Sequence, residues 1–241
     1  MYPILIKLGP LVLYTYGLFL AIAFFVGLFL AKKRAGELKR HIPNIVLIIF
    51  ISGIIGARLI FIASDITYYT RHPLEVFARS GFTFHGGLLF AIFFSWIYCR
   101  KRGIPFLKIA DIMSPSLAIG LAIGRIGCFF EGCCFGKPTS LPLGILFPKG
   151  SWADQEFGQV PIHPTQIYSS FLDLVLFLIL LKIKPKREGG LFFTFLLGYS
   201  IIRFFIEFLR YQPIFLFSLT QPQVLFLIVG IISIIWFKIY P

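Results

Sequence analysis

The run NIVLIIFISGIIGARLIFIA, residues 44–63, holds one charged side chain, Arg58, in twenty positions. A helix needs about 20 predominantly apolar residues to cross the hydrocarbon core of a bilayer. Runs of the same kind recur on both sides of it. Seven candidates emerge: Leu11–Ala31, Asn44–Ala63, Phe84–Cys99, Ile112–Phe130, Ile167–Ile183, Leu191–Leu209 and Pro222–Tyr240. The third is the shortest and could start as early as Gly81. The fourth is rich in Gly and Ser, which suits close approach of neighbouring helices. The expected fold class is therefore an all-α polytopic integral membrane protein with seven transmembrane helices. No repeat and no linker divides the chain, so residues 1–241 read as a single transmembrane domain. The one long gap, at about 131–166, holds Gly, Pro and Trp. It reads as an ordered non-cytoplasmic loop and a candidate lid.

Composition excludes a soluble domain. Hydrophobic residues make up 58% of the chain, charged residues 14%, and Phe alone occurs 30 times. So few charges cannot cover the surface of a soluble protein of this length. No cleavable signal peptide is evident; the first apolar run follows Lys7 and is long enough to span, so it reads as a retained helix. Four cysteines do not make a disulfide scaffold.

The net charge of +13 would point to nucleic acid in a soluble protein. Its distribution points elsewhere. Lys32, Lys33, Arg34, Lys39 and Arg40 follow the first run, Arg100, Lys101, Arg102 and Lys108 the third, and Lys182, Lys184, Lys186 and Arg187 the fifth. The alternate loops hold only Arg71 and Arg79, then Lys137 and Lys149, then Arg210. Basic residues favour the cytoplasmic side. The N-terminus is thus expected outside and the C-terminus in the cytoplasm. No nucleic-acid partner is needed.

Charges inside a bilayer are costly and mark functional candidates. Arg58, Arg125 and Arg203 lie within runs two, four and six, and Glu207 follows Arg203 by four residues on one helix face. With the orientation above, these four gather with Glu131, His85, Tyr16 and His163 near the outer headgroups. Guanidinium groups there suit a phosphate, and a histidine beside them suits proton transfer. The chemistry fits a phospholipid substrate or an anion pathway. A structural reading stands beside it. Arg203 and Glu207 fit an ion pair, Arg58 can snorkel to the interface, and His85 alone reads as a hydrogen-bonded structural histidine. The Gly86-Gly87 pair after it favours a crowded site where backbone approaches a ligand.

The densest stretch is GRIGCFFEGCCFG, residues 124–136. Arg125 and Cys128 share a helix face. The glycines beyond permit a sharp exit, and exposed amides there can bind an anion. Cys128, Cys133 and Cys134 admit three readings: small residues in tight packing, favoured for Cys128; a disulfide, which the non-cytoplasmic side permits; or a metal site with His85 or His163. Cys-x4-Cys-Cys is not a usual zinc spacing, which weighs against the last. Cys99 lies at the cytoplasmic end, away from them.

With these residues in view the chain resembles the prolipoprotein diacylglyceryl transferases of bacterial membranes, over nearly its whole length. The resemblance rests on six motifs in order. They are Tyr16-Gly17, Gly56-Ala-Arg-Leu59, His85-Gly-Gly87, Gly-Arg-Ile-Gly at 124–127, His163-Pro-Thr-Gln-Ile-Tyr168 and Arg203-Phe-Phe-Ile-Glu-Phe-Leu-Arg210. It implies a multi-pass protein of the bacterial inner membrane. Such an enzyme moves the diacylglyceryl group of phosphatidylglycerol to the lipobox cysteine thiol of a prolipoprotein signal peptide, releasing glycerol phosphate. It also implies that Arg125 and Arg203 hold the lipid headgroup and that His85 helps deprotonate the thiol. Tyr16 and Gly136 match functionally important positions, and Glu207 a glutamate near the second arginine. Glu131, Cys128 and His163 join the substrate-binding set. No metal or organic cofactor is implied. The sequence departs from the family pattern at Cys128, where Asn is usual, at Cys133, often Glu, and at Ser169, usually Glu. Glu131 could supply a displaced carboxylate. A diverged transferase with another acceptor or lipid donor is the alternative. A lipid or anion transporter fits less well, for the chain shows neither an internal repeat nor a pair of broken helices.

Overall fold

Each of the seven apolar runs is helical over most of its length in the computed structural model, which describes residues 3–9, 11–72, 75, 81 and 83–240. Helix α1 is Thr15–Arg34, α2 Ile42–Ser64, α3 Ile66–Arg71, α4 Phe84–Lys101, α5 Phe106–Glu131, α6 Trp152–Phe157, α7 Thr165–Lys182, α8 Gly190–Leu209 and α9 Gln221–Ile239. Strands β1 (Ile4–Leu8) and β2 (Leu11–Tyr14) pair antiparallel, as do β3 (Ile214–Leu216) and β4 (Leu219–Thr220). Arg79, one of the loop charges used for orientation, lies outside the described residues.

The protein is thus a polytopic helical membrane protein. Six helices among the described residues are long and apolar enough to cross a bilayer: α1, α2, α5, α7, α8 and α9. Helix α4 covers the expected third span but falls short of that standard. Its 18 residues include His85, Arg100 and Lys101, which lower its mean hydropathy. The first span also begins later than expected. Leu11–Tyr14 belongs to a hairpin whose register pairs Ile4 with Tyr14 and Leu8 with Leu11. Gly9, at φ 58°, adopts the left-handed backbone between the two strands. A short apolar run cannot reveal by periodicity alone whether it is strand or helix. Helix α1 then runs three residues past the expected end, closing on Lys32, Lys33 and Arg34, cations that suit a helix C-terminus.

The chain packs as two units, Met1–Ala31 with Ala110–Pro241, and Lys32–Ile109. In the second, α2 and α4 are joined along a glycine seam. A methyl group built on Gly56 would lie 2.6 Å from the Gly86 carbonyl oxygen, and one on Gly86 would lie 2.5 Å from that of Gly56. Gly87 faces the Gly53 carbonyl in the same way, at 3.0 Å. The Gly86-Gly87 pair therefore serves helix–helix approach, and the neighbour its backbone meets is α2. Arg58 donates from Nη1 to the Gly81 carbonyl at 3.0 Å.

In the larger unit, Ala118, Leu176, Leu180, Leu191 and Phe195 form a buried core on α5, α7 and α8. Ser170 donates to the Ala122 carbonyl at 2.8 Å, tying α7 to α5. Asp111 on α5 accepts from the backbone N–H of Gly189 at 2.7 Å and of Phe192 at 2.8 Å. These are orphan donors of the first turn of α8, so Asp111 caps a helix 78 residues away. Thr220 and Gln223 cap α9 reciprocally.

Residues 131–166 form an ordered segment with a small core of their own. Phe147, Ala153 and Ile162 are buried against Phe135, Ile145 and Phe157. Ile145 and Ile162 exchange both backbone hydrogen bonds. Asp154 accepts from the Gly150 N–H at 2.7 Å and from Gln159 Nε2 at 2.5 Å.

Candidate active site

The polar centre of the larger unit is built on α8. Arg203 and Glu207 share a face of α8 at i and i+4, and Arg210, the extended residue that ends the helix, turns back to the same carboxylate. Glu207 Oε2 receives Arg203 Nη2 at 3.1 Å and Arg210 Nη1 at 3.3 Å. Glu207 is 1% exposed and Arg203 6%. Burial at this level requires partners for every charge. Three atoms of the network have none among the described residues: Arg203 Nη1, Arg210 Nε and Glu207 Oε1. The Arg203 guanidinium also lies over the Phe226 ring of α9, 5.7 Å from its centroid.

Arg125 enters from α5. It interacts electrostatically with Tyr199 on α8 and with Cys134 and Cys128. Arg203 shares Tyr199 with it and faces the charges of Arg125, Arg210 and Glu207. Asp173 on α7 is 1% exposed, with neither carboxylate oxygen partnered among the described residues, and faces the charges of Arg125 and Arg203. The cluster thus sets three guanidinium groups against two carboxylates. Positive charge is in excess and donors are left unspent, which is the environment an anion would complete.

A tight loop follows α5. Gly132 has φ 79° and Cys134 φ 61°. The N–H groups of Gly132 and Cys133 both bond the Cys128 carbonyl, at 3.0 and 3.2 Å. The start of α7 fixes this loop: Thr165 donates to the Cys134 carbonyl at 2.9 Å, and Gln166 Nε2 to that of Cys133 at 2.7 Å. The turn brings the Sγ atoms of Cys128, Cys133 and Cys134 within 4.8 Å of one another. Gly136 is wedged in place. A methyl group there would lie 2.6 Å from the Leu209 carbonyl oxygen and 2.7 Å from His163 Cβ. His163 pairs through its backbone with Gly136 and Lys137, and its Nδ1 lies 3.4 Å from the Tyr168 hydroxyl.

The structure brings together, among the sequence candidates, Arg125, Arg203, Glu207 and Cys128. It places Gly136 and His163 in the loop beside the C-terminus of α8. Tyr16 on α1 lies against Gly127 and interacts with all three cysteines. Glu131 ends α5 with one buried, unpartnered oxygen. His85 and Arg58 belong to the other unit. His85 is exposed there at the start of α4, its ring edge-on to Phe84 at 5.9 Å. Sequence reading passed over Asp173 and Tyr199, and placed Gln166 in a motif without giving it a role. Asp173 had a signal: it is the single acid of α7, subject to the same rule that picked out the arginines. Gln166 acts through a backbone carbonyl 33 positions away, which no local pattern reveals.

Fold and site define a polytopic helical membrane protein with a buried arginine–carboxylate cluster at its polar centre. Comparison with known proteins is more specific. Residues 3–239 match the family model for prolipoprotein diacylglyceryl transferase. A relative from Clostridium tetani named phosphatidylglycerol–prolipoprotein diacylglyceryl transferase is 36% identical, over 88% of this chain and 87% of its own. A Geobacter sulfurreducens protein of the same name is 36% identical over 86% of this chain and 82% of its own. One from Fusobacterium nucleatum is 32% identical over 99% and 98%. The chain belongs to the prolipoprotein diacylglyceryl transferase family.

Proposed function

We propose that this protein transfers the diacylglyceryl group of phosphatidylglycerol to the lipobox cysteine thiol of a prolipoprotein. In this reading the thiolate attacks the glyceryl carbon that carries the phosphate. A C–S bond forms, the C–O bond to phosphorus breaks, and glycerol phosphate leaves with the electron pair. Arg125 and Arg203 hold the phosphate and stabilise the charge that grows on it. The thiol is the weak nucleophile and must lose its proton first. The family resemblance assigns that proton to His85. Gly136, His163, Tyr16, Glu131 and Cys128 shape the remainder of the site.

The observation that carries this reading is the unspent donor on Arg203. A buried guanidinium that gives one edge to Glu207 and leaves Nη1 free is prepared for a second anion. Phosphate meets that need in the plane of the fork. The basic loops support seven crossings with the N-terminus outside and the C-terminus inside, in a bacterial inner membrane. They also support a non-cytoplasmic placement of the 131–166 segment.

The test is direct. Purified protein, phosphatidylglycerol vesicles and a lipobox peptide should yield a peptide heavier by one diacylglyceryl group, and Arg203→Ala should remove the product. A peptide of unchanged mass would sink the assignment. A second reading, a transferase of this fold with another acceptor or lipid donor, draws on the cysteines beside Arg125. It predicts product from a thiol other than the lipobox peptide's, or from another lipid.

A further inference from the structure

We propose that Cys128, Cys133 and Cys134 form a binding site for a thiophilic divalent ion of the zinc class. The proposal does not depend on the lipid chemistry, although Cys128 and Tyr16 also belong to the proposed transfer site. Metal–sulfur bonds of about 2.3 Å in a tetrahedral site hold sulfurs roughly 3.8 Å apart. The three Sγ atoms already lie within 4.8 Å of one another. Closing onto an ion needs movement of about an ångström, within the reach of side-chain rotation.

The backbone is arranged for this convergence. Cys128 sits on the last turn of α5, and Cys133 and Cys134 on the turn that folds back over it. That turn spends a left-handed conformation on a non-glycine residue, Cys134, at φ 61°, a costly geometry that must be held by its surroundings. Thr165 and Gln166 supply the hold. The Cys133 thiol meanwhile points at the Cys128 carbonyl, 3.7 Å away. A disulfide would use two sulfurs and leave the third without a role; one ion uses all three.

Charge favours the same outcome. Cys134 faces the guanidinium groups of Arg210 and Arg125, which place positive charge beside the three sulfurs. Binding exchanges three S–H protons for one divalent ion, with no change in oxidation state. Three thiolates around such an ion carry one net negative charge, which the arginines offset. The fourth position falls to water or to Tyr16, which interacts with all three cysteines. The bound ion would staple the end of α5 to the turn that leads into Gly136.

Cadmium is the probe, because thiolate-to-cadmium charge transfer absorbs in the near ultraviolet. Reduced protein in detergent, titrated with Cd2+ under anaerobic conditions, should develop this band and saturate at one equivalent. Cys128→Ser, Cys133→Ser and Cys134→Ser should each weaken binding at least tenfold. Cys99→Ser should leave it unchanged. Absence of a saturating band in the unaltered protein would overturn the proposal, whatever the variants do. So would equal binding by the triple serine variant. A disulfide among the three in protein isolated without reductant would also overturn it.

Discussion

Two helix contacts in this molecule solve opposite problems. Between α2 and α4 the chain removes side chains, so that Gly56 and Gly86 bring backbone against backbone. Around α8 it does the reverse and buries Arg203, Glu207 and Arg210 with atoms left unpaired. The first contact gains its energy from van der Waals approach and offers nothing to a ligand. The second carries a standing electrostatic cost that a bound anion would reduce. Such a cost inside a membrane marks a candidate functional site. The contrast separates scaffold from candidate site without reference to any relative.

The sharpest way to break the contrast is Glu207→Gln. It leaves two buried guanidinium groups without their carboxylate and should cost about 3–5 kcal/mol, the range for breaking a buried pair. Thermal unfolding in detergent would measure it. A change below 1 kcal/mol would mean the network is not load-sharing. Next comes Arg203→Lys, which keeps the charge and loses the planar fork. Product formation from phosphatidylglycerol should fall about a hundredfold, in the range for losing one oxyanion donor, with little change in unfolding temperature. On the scaffold side, Gly56→Ala should destabilise by about 1–3 kcal/mol through overpacking, and Ala57→Gly on the same helix should not reproduce that effect through clash. If Gly56→Ala proved neutral, the seam would be looser than described. The smallest effect belongs to the 131–166 segment. The Gln159 amide and the Gly150 N–H hold the Asp154 carboxyl below its usual range. Its contribution is therefore present at neutral pH and is lost only as pH falls through that lowered value, under roughly pH 4. Limited proteolysis at pH 7 should cut Asp154→Asn in this segment slightly faster than the parent chain, and the gap should close in strong acid.

Much of the helical architecture is legible in the sequence, because length and apolar content alone mark a span. The ends are less so. Leu11–Tyr14 is as apolar as the helix that follows, and only its pairing with Ile4–Leu8 makes it a strand. Helix α4 shows the converse: it forms where expected, yet His85, Arg100 and Lys101 leave it below the hydropathy of the other six long helices. In the site, Arg125, Arg203 and Glu207 could be read because charge within an apolar run stands out. Asp173 stood out equally and was missed; it belongs to no motif. Thr165 and Gln166 lie inside a recognised motif, but their work is to hold the carbonyls of Cys134 and Cys133. The convergence of three thiols depends on that hold and on the backbone of Cys134, neither of which spacing can encode.

The bond from Asp111 to the start of α8 bears on how the protein is made. During synthesis α5 emerges long before Gly189 and Phe192 exist. Until they arrive, the Asp111 carboxylate has none of its final backbone donors, and such a group resists entry into lipid. Helix α5 should therefore remain loosely seated beside the insertion machinery until α7 and α8 follow as a hairpin. The capping bond then works as a latch on assembly order: the arginine cluster closes only after the N-terminal end of its last contributing helix has docked on Asp111.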